Sequence, residues 1–246
     1  MSLSAAHTFA LFRRESSLFH GCFHRHGGSS PPPFASLNIS FGVGDEPAKV
    51  RANRLLIKKS LDCDILISSQ QVHAQEVAVL ADVARDQELV GYDALITDQP
   101  GLGLLIQQAD CQAIMLHDPV RQVVANVHCG WRGSALNIIA TTINRMVETF
   151  ACHPADLKAA ISPALGPCCA EFRNYQSELP PALHTFQVRP DYFDFPAISS
   201  DQLQEAGLLA ENIETAAICT RCNDSWFSYR RHRQTGRFCS IIGIRP

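Results

Sequence analysis

The segment Gln122-Val-Val-Ala-Asn-Val-His128-Cys-Gly-Trp-Arg-Gly133 joins a strand-like run to a helix-like one. Its apolar part, Val123–Val127, is rich in β-branched residues, and a β-strand is predicted at Gln122–Val127. Directly after Gly133, apolar residues recur at steps of three and four and predict an amphipathic helix: Leu136, Ile139, Ala140, Ile143, Met146, Val147 and Phe150. Because a helix N-terminus favours anions, the segment also places a candidate site beside His128.

The rest of the chain repeats this mixture of strands and helices. Further strands are predicted at Ile65–Ser68, Glu76–Leu80, Ala94–Thr97, Leu102–Gln107, Ala113–Leu116, Ala159–Ile161, 213–218 and Phe238–Ile244. Helices are predicted at Ala48–Ser60 and 201–210, whereas residues 20–45 are loop-like. The mixture predicts an α/β (α+β mixed) fold in which residues 1–246 form a single domain, with a mixed β-sheet core flanked by helices.

The composition narrows the possible classes of protein. Apolar residues make up 46% of the 246 residues, and the net charge of −3 lacks the basic excess of a protein that binds nucleic acid or anionic lipid. No run approaches the roughly 20 apolar residues of a membrane span, and the N-terminus lacks a signal-peptide pattern. We therefore expect a cytoplasmic monomer or homodimer whose ten cysteines are mostly reduced.

Three residues of metal-ligand type each follow an apolar, strand-like run: His73, Cys111 and His128. Rigid strands bring side chains from distant parts of a chain to one point, so the three are candidates for one site. One thiolate and two imidazoles leave a tetrahedral zinc one ligand short, which is typical of catalytic zinc. The same residues also fit a site without metal, in which Cys111 is a nucleophile and His128 or His73 its base.

Other cysteines and arginines are further candidates. Cys219-Thr-Arg-Cys222 and Cys168-Cys169 fit a structural zinc site, a redox pair or ordinary thiols, although adjacent cysteines do not copy a CxxC half-site. Arg25 and Arg132 lie near glycines, which let a backbone approach a ligand closely. Arginine binds phosphate through its planar, charged fork, so both are candidates for an anion site.

A series of short motifs follows one order between residue 23 and the C-terminus. The first motifs are Arg25-His-Gly-Gly28, Ser36-Leu-Asn38, Gly44-Asp45, Asn53-Arg54, Gln71-Val-His73 and Asp93-Ala-Leu-Ile-Thr-Asp98. They are followed by Ala109-Asp-Cys111, His128-Cys-Gly-Trp-Arg-Gly133, Gly166-Pro-Cys168, Cys219-Thr220, Phe227-Ser-Tyr-Arg-Arg231 and Thr235-Gly-Arg237. This ordered set resembles the YfiH/laccase-domain family, whose members are labelled multicopper polyphenol oxidases and, more recently, purine nucleoside phosphorylases.

The resemblance implies a single mixed α/β domain and a zinc site formed by His73, Cys111 and His128. The implied substrates are small molecules: adenosine, inosine, guanosine or methylthioadenosine undergo phosphorolysis with inorganic phosphate as co-substrate, and adenosine is also deaminated. The three metal ligands are then catalytic, and Asp110 is the candidate proton donor for the leaving ammonia. Phosphorolysis needs a phosphate cradle, for which the candidates are Arg25, Ser36, Asn38, Arg132 and Arg237.

Three other functions are compatible with the same residues. A copper-dependent, laccase-like polyphenol oxidase needs further His-x-His pairs and an axial ligand, but the chain has only His24-Arg-His26 and three methionines. A metal-free cysteine hydrolase or amidase, acting in peptidoglycan-precursor editing, would use Cys111 as its nucleophile. The last alternative is a binding module without enzymatic activity, which leaves the three ligand-type residues at strand ends unexplained.

Overall fold

Two β-sheets form the centre of a computed structural model that describes Leu3 and residues 7–246. The strands are β1 (Leu18–Phe23), β2 (Ile65–Gln70), β3 (Val77–Leu80), β4 (Gln87–Val90), β5 (Ala94–Thr97), β6 (Leu102–Gln108), β7 (Gln112–Asp118), β8 (Val123–Cys129), β9 (Lys158–Ile161), β10 (Gln187–Arg189), β11 (Tyr192–Phe193), β12 (Ile213–Thr215) and β13 (Phe238–Ile244). The helices are α1 (Ala10–Arg13), α2 (Pro47–Leu61), α3 (Trp131–Leu136), α4 (Ile138–Phe150), α5 (Tyr175–Glu178) and α6 (Phe195–Glu205).

Both sheets contain parallel and antiparallel strands. The first has the order β1-β13-β6-β2-β4, in which β13 is antiparallel to both neighbours and β2 is parallel to both of its own. The second has the order β12-β9-β7-β8-β5-β3, with antiparallel pairs in the middle and a parallel pair at each edge. The strands β6 and β7 follow each other in sequence but lie in different sheets, so the turn between them crosses from one sheet to the other.

Apolar side chains fill the space between the sheets and also cover their outer faces. Leu104 of β6 and Ile242 of β13 share a cluster with Met115 of β7, and this cluster joins the two sheets. The next residue, Leu105, points to the opposite face and shares a cluster with Ile57 of α2, because side chains alternate along a strand. Residues of α4 cover the outer face of the second sheet. The layers are therefore α2, the first sheet, the second sheet and α4.

Burial on both faces explains the character of the central strands. Every residue of β7 and β8 is buried, so these strands read as nearly continuous apolar runs rather than as alternating ones. The helices in the described part of the chain are short, the longest being α2 with 15 residues, and none has the length and apolar character of a membrane span.

The predicted mixed α/β class is confirmed, with two large sheets and a separate antiparallel pair, β10 and β11, in place of one sheet. The strands predicted at Ala94–Thr97 and Phe238–Ile244 match β5 and β13, and the helix predicted at Ala48–Ser60 matches α2 to within one residue at each end. The number of sheets depends on which strands pair over long distances in the chain, and a run of apolar residues does not contain that information.

Other predicted boundaries are wrong for local reasons. The helix predicted across 136–150 is divided at Asn137, which has a left-handed φ of 53° and whose side chain caps α4 by accepting a hydrogen bond from the N–H of Ala140. The helix predicted at 201–210 instead begins at Phe195, because Asp194 caps its N-terminus, and it ends at Glu205. The supposed loop at 20–45 overlaps β1, and β4 was not predicted.

Candidate metal centre

The three metal-ligand-type residues predicted from the sequence converge in the structure. One ligand atom from each of His73, Cys111 and His128 lies within 4.8 Å of the others. The Nε2 of His73 is 3.9 Å from the Sγ of Cys111, and the two imidazole rings meet edge to face at 4.7 Å between centroids. The three side chains therefore form one compact group of donors, one of them a thiol.

The crossing between the two sheets brings these residues together. His73 follows β2 of the first sheet, His128 lies in β8 of the second, and Cys111 lies in the turn that links β6 to β7. Gln108 supports this turn, since its Nε2 donates to the backbone oxygen of Cys111 at 2.9 Å and its Oε1 accepts from Ser240 at 2.6 Å. The donor group thus depends on the packing of one sheet on the other.

A buried carboxylate that the sequence analysis did not single out orients the imidazole of His128 and anchors the backbone at His73. Asp93 is fully buried, and its Oδ1 lies 2.8 Å from the Nδ1 of His128. The same carboxylate accepts hydrogen bonds from the backbone N–H groups of Val72, His73 and Ala74 at 2.9–3.1 Å. With Nδ1 engaged by Asp93, the Nε2 of His128 is left for a ligand, the arrangement commonly found behind metal-binding histidines. In the sequence, this role of Asp93 was indicated only by its position directly before the apolar strand β5.

The charges of Cys111 and His128 stabilise each other. Burial has the largest effect on both groups, and alone it would raise the pKa of the thiol and lower that of the imidazole. Attraction between the two groups, together with hydrogen bonds to His73 and Asp93, outweighs burial and brings the pKa of Cys111 to about 6 and that of His128 to about 9. The two shifts favour a thiolate and an imidazolium near neutral pH, and a metal ion bound by both side chains would displace the proton of the imidazolium.

Gly130 leaves room for this group of donors. A Cβ atom at this position would lie 3.0 Å from the Sγ of Cys111 and 3.2 Å from the Cδ2 of His73. Gly130 is also the N-cap of α3 and directly follows the last residue of β8. Two metal-ligand-type side chains approach the backbone at this glycine.

Two cavities meet at His73 and Cys111. The first, of about 520 Å³, is lined by aromatic side chains and by four arginines: Arg132, Arg173, Arg230 and Arg233. The second, of about 600 Å³, also reaches His128 and is lined by apolar groups and by the polar side chains of Ser40, Gln71, Glu88, Gln107 and Arg237. Both volumes suit a small molecule, and the two together can bring two different molecules to one thiolate.

Asp110, the predicted proton donor, lines the first cavity and also holds its wall together. Its Oδ1 accepts a hydrogen bond from the hydroxyl of Thr220 at 2.7 Å, and its Oδ2 accepts one from the backbone N–H of Arg230 at 2.6 Å. These bonds tie the turn between β6 and β7 to the C-terminal segment. Proton donation by Asp110 stays a prediction.

The five predicted phosphate-binding residues separate into two groups. Arg132 and Arg237 line the cavities. Arg25 and Ser36 instead bind loop backbone, since the Nε of Arg25 donates to Ala35 and the Ser36 hydroxyl donates to the backbone oxygen of Arg25. Asn38 has no exposed surface: its amide donates to Ser40 and Asp45 and accepts from the N–H of Arg237. Phosphate binding by these loop residues stays a prediction.

Relatives of this chain include curated bacterial enzymes. It is 32% identical over 231 residues to a protein of Streptomyces coelicolor named purine nucleoside phosphorylase SCO2081, covering 91% of this chain and 94% of the relative. It is 31% identical over 245 residues to purine nucleoside phosphorylase YlmD of Geobacillus stearothermophilus, covering 92% and 89% of the two chains.

Solved structures show the same architecture over nearly the whole chain. The crystal structure of YlmD from Geobacillus stearothermophilus matches with a TM-score of 0.87 at 28% identity, covering 100% of this chain and 99% of that one. A hypothetical protein YfiH of Bacillus licheniformis matches with a TM-score of 0.86 at 29% identity, covering 95% and 94%. The profile described as multi-copper polyphenol oxidoreductase laccase matches residues 19–245. The chain therefore belongs to this laccase-domain family, together with the YlmD- and YfiH-like proteins.

Proposed function

We propose that this chain is a zinc-dependent purine nucleoside phosphorylase that also deaminates adenosine. The observation that carries the proposal is the group of His73, Cys111 and His128, oriented by the buried Asp93 and placed where two cavities meet. The substrates in this proposal are adenosine, inosine, guanosine and methylthioadenosine, with inorganic phosphate as co-substrate. The names of the curated relatives support the phosphorylase activity. A cytoplasmic location is part of the same proposal.

The donor set fits zinc. Bonds of about 2.3 Å to sulfur and about 2.0 Å to nitrogen place tetrahedral ligands roughly 3.6 Å apart, close to the 3.9 Å between His73 Nε2 and Cys111 Sγ. Two histidines and one cysteine also leave the fourth position for a substrate. When bound there, zinc supplies a Lewis acid between the two cavities.

The lining of the cavities supports the binding of phosphate in one cavity and of the nucleoside in the other. In the described part of the chain, no carboxylate forms an ion pair with Arg132, Arg230 or Arg233, so their charges are available to an anion. The first cavity is therefore proposed to hold phosphate. The amide and hydroxyl groups of the second cavity are suited to the hydrogen-bonding edges of a purine and a ribose, and Arg237 and Cys111 line the same cavity.

The ligand environment favours zinc over the copper chemistry in the family's description. Blue-copper centres use a weak axial ligand such as methionine, but Met115 and Met146 lie inside hydrophobic clusters and Met1 lies outside the described residues. Among the residues that the structure describes, the other cluster of metal-ligand type contains only cysteines. A trinuclear copper centre needs further histidines.

A metal-free cysteine hydrolase is the second candidate, because Cys111 and His128 form a thiolate–imidazolium pair. Such an enzyme would still cleave amides or esters after all metal has been removed from it, as checked by mass spectrometry. Loss of all turnover in that metal-free protein, and its return when zinc alone is added, would exclude the hydrolase.

Replacing the thiolate tests the centre directly. Cys111→Ala removes the sulfur ligand, so we expect the zinc content to fall by one atom per chain and phosphorolysis of inosine and adenosine to fall to the rate without enzyme. The readouts are metal mass spectrometry on tag-free protein and purine release. The control is Cys63→Ala, which removes a buried thiol that lines neither cavity. It should keep both the zinc content and the phosphorolysis activity. Full activity in Cys111→Ala would refute the proposal.

Asp93→Asn tests the orientation of the histidines. The amide has only one acceptor oxygen for His128 and three backbone donors, so we expect zinc affinity to fall by roughly 10–100-fold. Competition with a chromophoric chelator measures this affinity. Asp98→Asn makes the same change on an exposed carboxylate next to β5 and serves as the control. An unchanged affinity in Asp93→Asn would show that the carboxylate does not support the metal.

Arg132→Gln tests the phosphate site. The exposed guanidinium stacks on Trp131 at 4.3 Å, and its charge-assisted bond to phosphate contributes about 1.5 kcal/mol. We expect the KM for phosphate to rise about tenfold while the KM for the nucleoside changes little. Arg145→Gln on the exposed face of α4 is the matched control. Equal effects of the two substitutions on the KM for phosphate would show that phosphate does not bind at Arg132 in the first cavity.

Asp110→Asn separates the two proposed reactions. An amide cannot donate an acidic proton, so adenosine deamination should fall much more than inosine phosphorolysis in initial-rate assays. Thr220→Val removes the hydrogen bond to Asp110 but keeps its carboxylate, and so reports the effect of the tether alone. If Asp110→Asn and Thr220→Val lower both reactions by the same factor, Asp110 has only a positioning role.

A further inference from the structure

A second group of cysteines converges away from His73, Cys111 and His128. One sulfur from each of Cys168, Cys169, Cys219 and Cys222 lies within 4.8 Å of the others. The first two lie in the turn after β9, and the last two lie in the segment after β12. The sequence pattern alone did not show that both adjacent cysteines of the pair 168–169 can face the CxxC pair.

The separations between these sulfurs match ligands of one ion. The Sγ of Cys222 lies 3.7 Å from that of Cys168 and 3.4 Å from that of Cys169. Four sulfurs at about 2.3 Å from a tetrahedral zinc lie roughly 3.8 Å apart, whereas the sulfurs of a disulfide are about 2.05 Å apart. The two observed distances, with all four sulfurs within 4.8 Å of one another, therefore match separate ligands of one ion rather than a disulfide.

The backbone is shaped to let adjacent cysteines point the same way. The N–H groups of Cys169 and Ala170 both donate to the backbone oxygen of Gly166, at 2.9 and 3.1 Å, which closes a tight turn. A Cβ atom on Gly166 would lie only 3.0 Å from the Cβ of Cys219, and at ordinary contact distance, 3.5 Å, from the sulfurs of Cys168 and Cys219. A glycine at this position keeps the space beside the cluster open.

Positive groups surround the cluster. The Nη1 of Arg221 lies 3.4 Å from the Sγ of Cys169, Arg189 donates to the backbone oxygen of Cys168 at 3.0 Å, and Arg230 donates to that of Cys169 at 3.3 Å. Four thiolates around one divalent cation carry a net negative charge, which these guanidinium groups offset. Cys169 is buried while Cys168 and Cys222 are exposed, so an ion can enter from solvent.

We propose that Cys168, Cys169, Cys219 and Cys222 bind one structural Zn²⁺. All four coordination positions are filled by protein, so this zinc has no open position and takes no part in chemistry. Its effect is to join the turn after β9 to the segment after β12. Both segments form the wall of the first cavity: Arg230 also binds the backbone oxygen of Glu171 at 3.0 Å, and Thr220 binds Asp110. The four cysteines are positioning residues for that wall.

Metal counting on tag-free protein, purified under reducing conditions and reconstituted with zinc, tests the proposal. Cys222→Ser is expected to lose one zinc per chain relative to the wild type, and Cys63→Ala to lose none. Combining Cys222→Ser with Cys111→Ala separates the two centres. If only the centre at Cys111 fails to bind, the wild type holds one zinc and Cys222→Ser holds none. Wild-type zinc content in Cys222→Ser would overturn the proposal.

Two measurements do not depend on the folding of Cys222→Ser. Cobalt(II) loaded into Cys111→Ala should show the intense near-ultraviolet thiolate-to-cobalt absorption of a four-sulfur site, and its absence would overturn the proposal. In the zinc-loaded wild type, iodoacetamide should alkylate the exposed Cys168 and Cys222 only after a strong chelator is added. Equal alkylation with and without chelator, or a disulfide among the four cysteines in the purified protein, would contradict zinc binding there.

Discussion

The hydrogen bonds of one buried carboxylate hold the candidate centre together. Asp93 binds the imidazole of His128 in one sheet and three backbone N–H groups around His73, which follows a strand of the other sheet. A buried charge is costly unless it is paired and hydrogen-bonded, and these four partners meet that requirement. The same contacts fix the imidazole of His128 and the backbone at His73, so the hydrogen bonds that stabilise the buried aspartate also set the geometry of the site.

The hydrogen bonds of Asp93 lie where the two large sheets meet. Because β6 and β7 belong to different sheets, the turn that carries Asp110 and Cys111 must cross between them, and it meets His73 and His128 at the crossing. A rigid core on both sides of each central strand limits movement of these side chains. Two cavities border the crossing, and both are lined by His73 and Cys111.

The cysteine cluster is connected to the centre at Cys111 through residues in the wall of the first cavity. Asp110 binds Thr220, which lies next to Cys219, and Arg230 binds the backbone of Cys169. Ordering of the cysteine segments therefore also orders a carboxylate and an arginine that line the first cavity. This connection gives a physical reason for thiols far from Cys111 in sequence to affect chemistry there.

The sequence by itself determined the class of fold, most of the central elements and the three ligand-type residues, since strand periodicity, helix periodicity and ordered motifs are local properties. It did not show the second sheet, the break at Asn137, the role of Asp93 or the meeting of four cysteines. Strand partners and buried carboxylate contacts join residues far apart in the chain, and apolar runs of similar composition suit many pairings. Only packing in three dimensions selects one of them.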